Sequence, residues 1–189
     1  MSGCATTSGP QPVASTAAQN KITSWDSRVQ TLSEIENWNL KALIAIRNQS
    51  DAGTATLQWQ QQLQKYHILI FGPIGTGSYE LTGQPGKVEL ASSNGHRFYA
   101  KNPESLLQQQ TGWKLPISHL HFWIRGLPAP GISAEKNLDH SNHLIGLKQD
   151  GWDIQFLRYV SVNGIDLPNK IFMNNSQVNV KIIINQWQF

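Results

Sequence analysis

From residue 38 the chain alternates. Trp38, Leu40, Ala42, Ile44 and Ile46 share one face, with Asn39, Lys41, Leu43 and Ala45 between them, the period-two pattern of a half-buried strand. Residues 48–53 supply a turn, and Ala55, Leu57 and Trp59 then alternate with Thr54, Thr56, Gln58 and Gln60. Further strands are predicted over residues 65–71, 77–81, 87–91 and 96–100, the last two joined through Ser92-Ser93-Asn94-Gly95. Towards the C-terminus the pattern returns over residues 143–149, 152–160, 167–174 and 177–186, with Asp150-Gly151 as a hairpin signal and Val178, Val180, Ile182 and Ile184 on one face. Ten short strands with tight connections predict a mainly β, antiparallel meander.

Three stretches carry a helical period instead. In residues 22–35, Trp25, Val29 and Leu32 recur at helical spacing behind Thr23 or Ser24 as the cap; Arg28 either ties this helix to the rest of the fold or lies exposed. Asn102-Pro103 opens a second helix that carries Leu106 and Leu107 to Gly112, with Pro in the first turn, where its missing N–H costs nothing. Residues 118–125 form a third, apolar nearly all round through Leu120, Phe122, Trp123 and Ile124, and stopped by Gly126-Leu127-Pro128. A helix this apolar is buried on more than one side or covers a cavity, and helices crossing a curved sheet enclose such a cavity.

The strand at residues 65–71 ends in Gly72-Pro73-Ile74-Gly75, and the next strand follows directly. Hairpin tips normally carry Asn, Asp, Ser or Gly, because a tip side chain faces water. Ile74 is therefore either folded back on the protein or held out towards something apolar.

Composition narrows the function. The 189 residues suit one sizeable core, and charged residues are only 14% of the chain, with a net charge of +3. The Lys and Arg residues form no block, so no nucleic-acid partner is expected; a mild attraction to anionic membranes remains. Seven Trp residues are many for this length, and Trp suits apolar surfaces with a polar edge. His119, His121, Asp139, His140 and His143 are the only candidate metal ligands, but no Cys stands near them and their spacing matches no zinc site. No nucleophile elbow is present. The Gly-rich run after residue 71 lacks the Lys-Ser/Thr of a phosphate loop and leads into a strand. No enzyme, metal or cofactor is expected.

The single cysteine, Cys4, follows Met1-Ser2-Gly3, which matches the end of a bacterial lipobox without the charged and apolar parts of a leader. A trimmed start is expected, with residues 1–21 as lipobox remnant and flexible tether and residues 22–189 as one domain. Ala5, rather than Asp, follows the cysteine. No segment approaches the ~20 apolar residues of a spanning helix.

The ordered set of Trp38, Trp59, Gly72-Pro73-Ile74-Gly75, Leu115-Pro116-Ile117, Leu120, Trp123-Ile124-Arg125-Gly126-Leu127-Pro128, Gln149-Asp150-Gly151-Trp152, Leu167-Pro168, Val180-Lys181-Ile182 and Trp187 resembles the LolB family of outer-membrane lipoprotein receptors. Ile74 stands where that family usually has Leu. The resemblance implies an antiparallel half-barrel of about eleven strands, lidded by helices over a hydrophobic cavity. It implies a monomer anchored by a lipidated Cys4 in the outer membrane and facing the periplasm. Such a protein takes lipoproteins from a LolA-like periplasmic carrier, holds their palmitate-like acyl chains, and inserts them into the inner leaflet of the outer membrane without nucleotide hydrolysis. The acyl cavity is then expected on Trp38, Leu40, Trp59, Ile68, Leu120, Trp123, Ile124, Trp152 and Ile182, and the membrane-insertion loop at Pro73, Ile74 and Gly75. The alternative is a lipocalin-like binder of free lipids or another small amphiphile.

Overall fold

The computed structural model describes residues 24–49, 52–72 and 77–189. Its strands are β1 (Asn37–Arg47), β2 (Ala52–Gln62), β3 (Lys65–Phe71), β4 (Ser78–Gln84), β5 (Lys87–Ser92), β6 (Arg97–Ala100), β7 (Ala134–Leu138), β8 (Leu144–Gln149), β9 (Trp152–Val162), β10 (Ile165–Asn174) and β11 (Asn179–Gln188). Its helices are α1 (Trp25–Ser33), α2 (Pro103–Thr111) and α3 (Ile117–Trp123). All the strands join one open antiparallel sheet in the order β6-β5-β4-β3-β2-β1-β11-β10-β9-β8-β7. The chain starts mid-sheet at β1 and builds outward to β6. It crosses to the opposite edge through α2 and α3, then returns inward until β11 pairs with β1.

The ten strands expected from alternation are present, and β7 is the addition. It reads Ala-Glu-Lys-Asn-Leu, is exposed along almost its whole length, and pairs only with β8 among the described residues. An edge strand wet on both faces has no alternation to display, and its charges discourage further pairing. The first helix begins at Trp25 under a reciprocal cap in which the Ser24 and Ser27 side chains each bond the other's backbone N–H. Ile22 and Thr23 lie outside the described residues, as do Cys4, the expected tether and the Pro73-Ile74-Gly75 tip.

Strand direction gives the sheet two ends. At the near end α1 meets β1, and the turns at residues 63–64, 85–86 and 163–164 line up. At the far end lie Gly72 and Gly77, whose N–H···O bond of 3.2 Å closes the base of the β3–β4 loop, and the turn at residues 150–151. Asp150-Gly151 has positive φ at both residues (51° and 75°), the two-residue hairpin geometry expected there. Leu63 also sits at φ 53°, which strains a bulky side chain by about 1–2 kcal/mol. The turn is held by the Leu63 N–H on the Glu36 carbonyl and the Gln61 amide on the Leu63 carbonyl.

Arg28 is buried and ties α1 to the sheet. Its guanidinium donates to the Asp166 carbonyl and lies 5.4 Å from the Tyr159 ring centre. Tyr159 in turn stacks on His143, whose ring nitrogens lie 2.9 Å from Asp139 and 3.1 Å from Asp166. A second constraint is steric. A Cβ on Gly83 would sit 2.2 Å from the Tyr66 ring across the β3–β4 pair. Gly83→Ala should therefore lower unfolding free energy by about 2 kcal/mol. Adding Tyr66→Ala should recover part of that loss in a double-mutant cycle; strict additivity would contradict the clash.

Candidate functional site

The inner face of the sheet is built by the alternation. Trp38, Leu40, Trp59, Ile68, Trp152 and Ile182 project there from five different strands, and Leu120, Trp123 and Ile124 meet them from α3 and its C-cap. The structure brings all nine expected residues into one apolar cluster, each no more than 6% exposed. Trp38 is central, with ring centres 5.3 Å from Trp59 and 5.5 Å from Trp187, and Trp123 lies 6.3 Å from Trp152. Trp38 packs against its sheet neighbours Trp59 and Trp187, and Trp123 of the lid faces Trp152 of the sheet. Open volume adjoins this cluster at the far end, in a hollow of about 490 Å3 that reaches Trp152, and at the near-end rim.

Two adjoining hollows open there, of about 790 and 320 Å3, sharing Gln64, Gln84, Pro85, His121 and Phe122. The larger is rimmed by Glu36, Lys65 and Arg125, and the smaller reaches inward to Trp59 and Ile117. Polar groups surround an apolar floor, so the rim suits an amphiphile more than a wholly apolar or wholly charged ligand.

The lid is fastened by buried polar groups at and just beyond the last residue of α3. At its C-terminal end Arg125 donates to the carbonyls of Leu32 and Ile35 at 3.0 and 2.8 Å, and to that of His121 at 3.2 Å. It thereby supplies the positive group that the last turn of α1 lacks, which favours the helix dipole, and it shares the Leu32 carbonyl with the Ile35 N–H. Burial pulls the Arg125 pKa down to about 10, with Glu36 opposing the shift. Towards the sheet, the Trp123 indole N–H donates to Gln149 at 2.7 Å. The same Gln149 amide also holds the N–H and carbonyl of Ala129 and the carbonyl of Ile132. His121 stacks on Trp38 with ring centres 6.2 Å apart, and burial beside Arg125 lowers its pKa to about 4. The Trp38 indole N–H, by contrast, is buried without a partner among the described residues.

Sequence reasoning weighed His121 only as a metal ligand and assigned no role to Arg125, Gln149 or Gln61. Buried amides at Gln61 and Gln149 sit on the inner face in positions that alternation assigns to apolar residues, and that mismatch was the available signal. Among the described residues no group of three or more His, Cys, Asp and Glu could hold a metal ion, and no helix is long and apolar enough to cross a membrane.

Residues 36–187 match the family model described as outer membrane lipoprotein LolB. The chain belongs to the LolB family. The outer-membrane lipoprotein LolB of Pseudomonas syringae pv. syringae is 43% identical over 164 residues, covering 87% of this chain and 80% of that one. The Pseudomonas aeruginosa LolB is 38% identical over 188 residues, covering 100% and 90%. At low identity the same fold recurs in a LolA superfamily protein from Nitrosomonas europaea (TM-score 0.56, 7% identical, 88% and 93% covered). It recurs also in a DUF1329 family protein from Desulfovibrio piger (TM-score 0.61, 8% identical, 87% and 91% covered). LolB membership makes this chain a lipid-anchored outer-membrane lipoprotein with a part in lipoprotein sorting, and not an enzyme.

Proposed function

We propose that this chain accepts lipoproteins from a LolA-like periplasmic carrier, shelters their acyl chains between sheet and lid, and passes them to the inner leaflet of the outer membrane. The observation that carries this reading is the single apolar cluster of Trp38, Leu40, Trp59, Ile68, Leu120, Trp123, Ile124, Trp152 and Ile182 beneath a lid held by separable polar ties. A sixteen-carbon chain gains on the order of 12 kcal/mol from burial at about 0.8 kcal/mol per methylene. Release into water on that scale is prohibitively slow, so transfer runs from one apolar interior to the next. Direction comes from differences in affinity, at about 1.4 kcal/mol per tenfold, without nucleotide hydrolysis.

The acyl chains enter at the near-end rim, past Phe122 and His121, and α3 swings outward as they do. Lid opening uncovers indole and aliphatic surface, and the arriving chain covers it again, so buried apolar area changes little. Cys4 carries the lipid that anchors the protein. Ile74, shaped by Pro73 and Gly75, dips into the leaflet during insertion; one Ile contributes only about 1.5–3 kcal/mol, enough to assist delivery and too little to anchor.

The test is a transfer assay from acyl-loaded carrier to vesicles. Wild type should remove lipoprotein from the carrier; if the lipoprotein stays there while free lipid still binds, the lipocalin-like reading replaces this one. Ile74→Glu should accept lipoprotein normally and insert it about tenfold more slowly. Insertion at the wild-type rate would exclude the role given to the loop.

A further inference from the structure

The outer face of the sheet carries a feature that neither the lid nor the loop explains. Cross-strand pairing places Arg158, Lys170, Ile183, Leu43, Thr56 and Phe71 in one row across β9, β10, β11, β1, β2 and β3. Lys181 and Phe172 pair in the adjoining row, and Lys41 lies one outward position from Leu43 on β1. Leu43 is 45% exposed and Phe71 37%. Arg158 and Lys170 are direct cross-strand partners of like charge, an arrangement that destabilises a sheet. No ion pair among the described residues relieves Arg158, Lys170, Lys181 or Lys41. Nearby acids are engaged elsewhere or lie to one side: Glu80 pairs with His67, Glu89 with Arg97, and Asp153 sits towards the far end of β9.

We propose that this outer face is a docking surface for an anionic lipid bilayer. Cations grouped around exposed Leu and Phe match a headgroup layer, where the charges meet phosphates and the apolar side chains reach the acyl boundary. Membership of a lipid-anchored outer-membrane family makes a bilayer the surface this domain is always beside. Phe71 ends the row beside Gly72, so a domain lying on this face sets the base of the β3–β4 pair against the same leaflet. The lid stays turned away from the membrane.

The proposal does not depend on the acyl-transfer reading, and its test keeps the two apart. Unlipidated full-length protein is sedimented with vesicles of phosphatidylcholine alone or with phosphatidylglycerol added, at rising salt. Wild type should bind the anionic vesicles on the order of tenfold more tightly, and salt should remove the difference. Arg158→Glu with Lys170→Glu should abolish that preference with an unchanged circular-dichroism melt, whereas Lys87→Glu with Lys114→Glu should retain it. Equal binding to both vesicle types, or equal loss in the two double variants, would overturn the proposal. So would unchanged vesicle binding by Arg158→Glu/Lys170→Glu together with slower acceptance from the carrier, which would give the face to an acidic protein. Ile74→Glu should keep the anionic preference; losing it there alone would assign the effect to the loop.

Discussion

Arg125→Ala should lower the unfolding free energy by about 4 kcal/mol, the largest loss expected from any single exposed or buried cation in this chain. Hydrogen bonds to a charged group contribute about 1.5–3 kcal/mol each, and here the guanidinium reaches Leu32 on α1, Ile35 just beyond it and His121 on α3. Its removal takes the charged donor from the Leu32 and Ile35 carbonyls and opens a void beneath the lid. For a domain of this size the melting temperature should fall by about 10 °C. Arg125→Lys keeps the charge but not the planar fork, so it should recover less than half of the loss. A drop below about 1 kcal/mol in urea unfolding would mean that α3 is held by its apolar face alone.

Acid should weaken the protein through His121. Its pKa is lowered to about 4 in the folded chain against 6.5 as the ordinary value, by burial first and by Arg125 second. Above the ordinary value both states hold a neutral ring and nothing changes. Between 6.5 and about 4 the unfolded chain binds a proton that the folded chain refuses, so stability falls as pH falls across that window and levels off below it. The loss should approach about 2–3 kcal/mol, reduced from the full linkage value because part of the ring meets solvent. His121→Leu should flatten this part of the pH–stability curve. Parallel curves for the variant and wild type would remove His121 from the account.

Much of the fold is legible because one physical rule writes it. A sheet buried on one face must alternate, and Trp38 to Ile46 or Val178 to Ile184 can be read directly as an inner face. The ordered Trp, Gly and Pro positions likewise point to the LolB family. What stays hidden has no local signature. β7 is wet on both sides, so nothing in its sequence repeats. Arg28 and Arg125 find their carbonyl partners 138 and 90 residues away, and pairing at such separation leaves no trace in spacing. Six of the nine cluster positions follow from strand parity and three from the apolar third helix, but neither pattern reveals how closely the indoles pack. That depends on how far sheet and lid stand apart.

The two ends of the sheet have a consequence for reach. The described chain begins at Ser24, close to the near end, while the β3–β4 loop leaves from the far end. An eleven-residue strand such as β1 spans about 37 Å. The twenty residues from Cys4 to Ser24 span no more than about 70 Å when fully extended. On the proposed function, in which Cys4 carries the anchor, a domain standing upright on its lipid would hold the far end of the sheet farthest from the bilayer. One that tips onto its side would bring that end down. Domain tilt, rather than affinity alone, would then set how often the far end meets the leaflet.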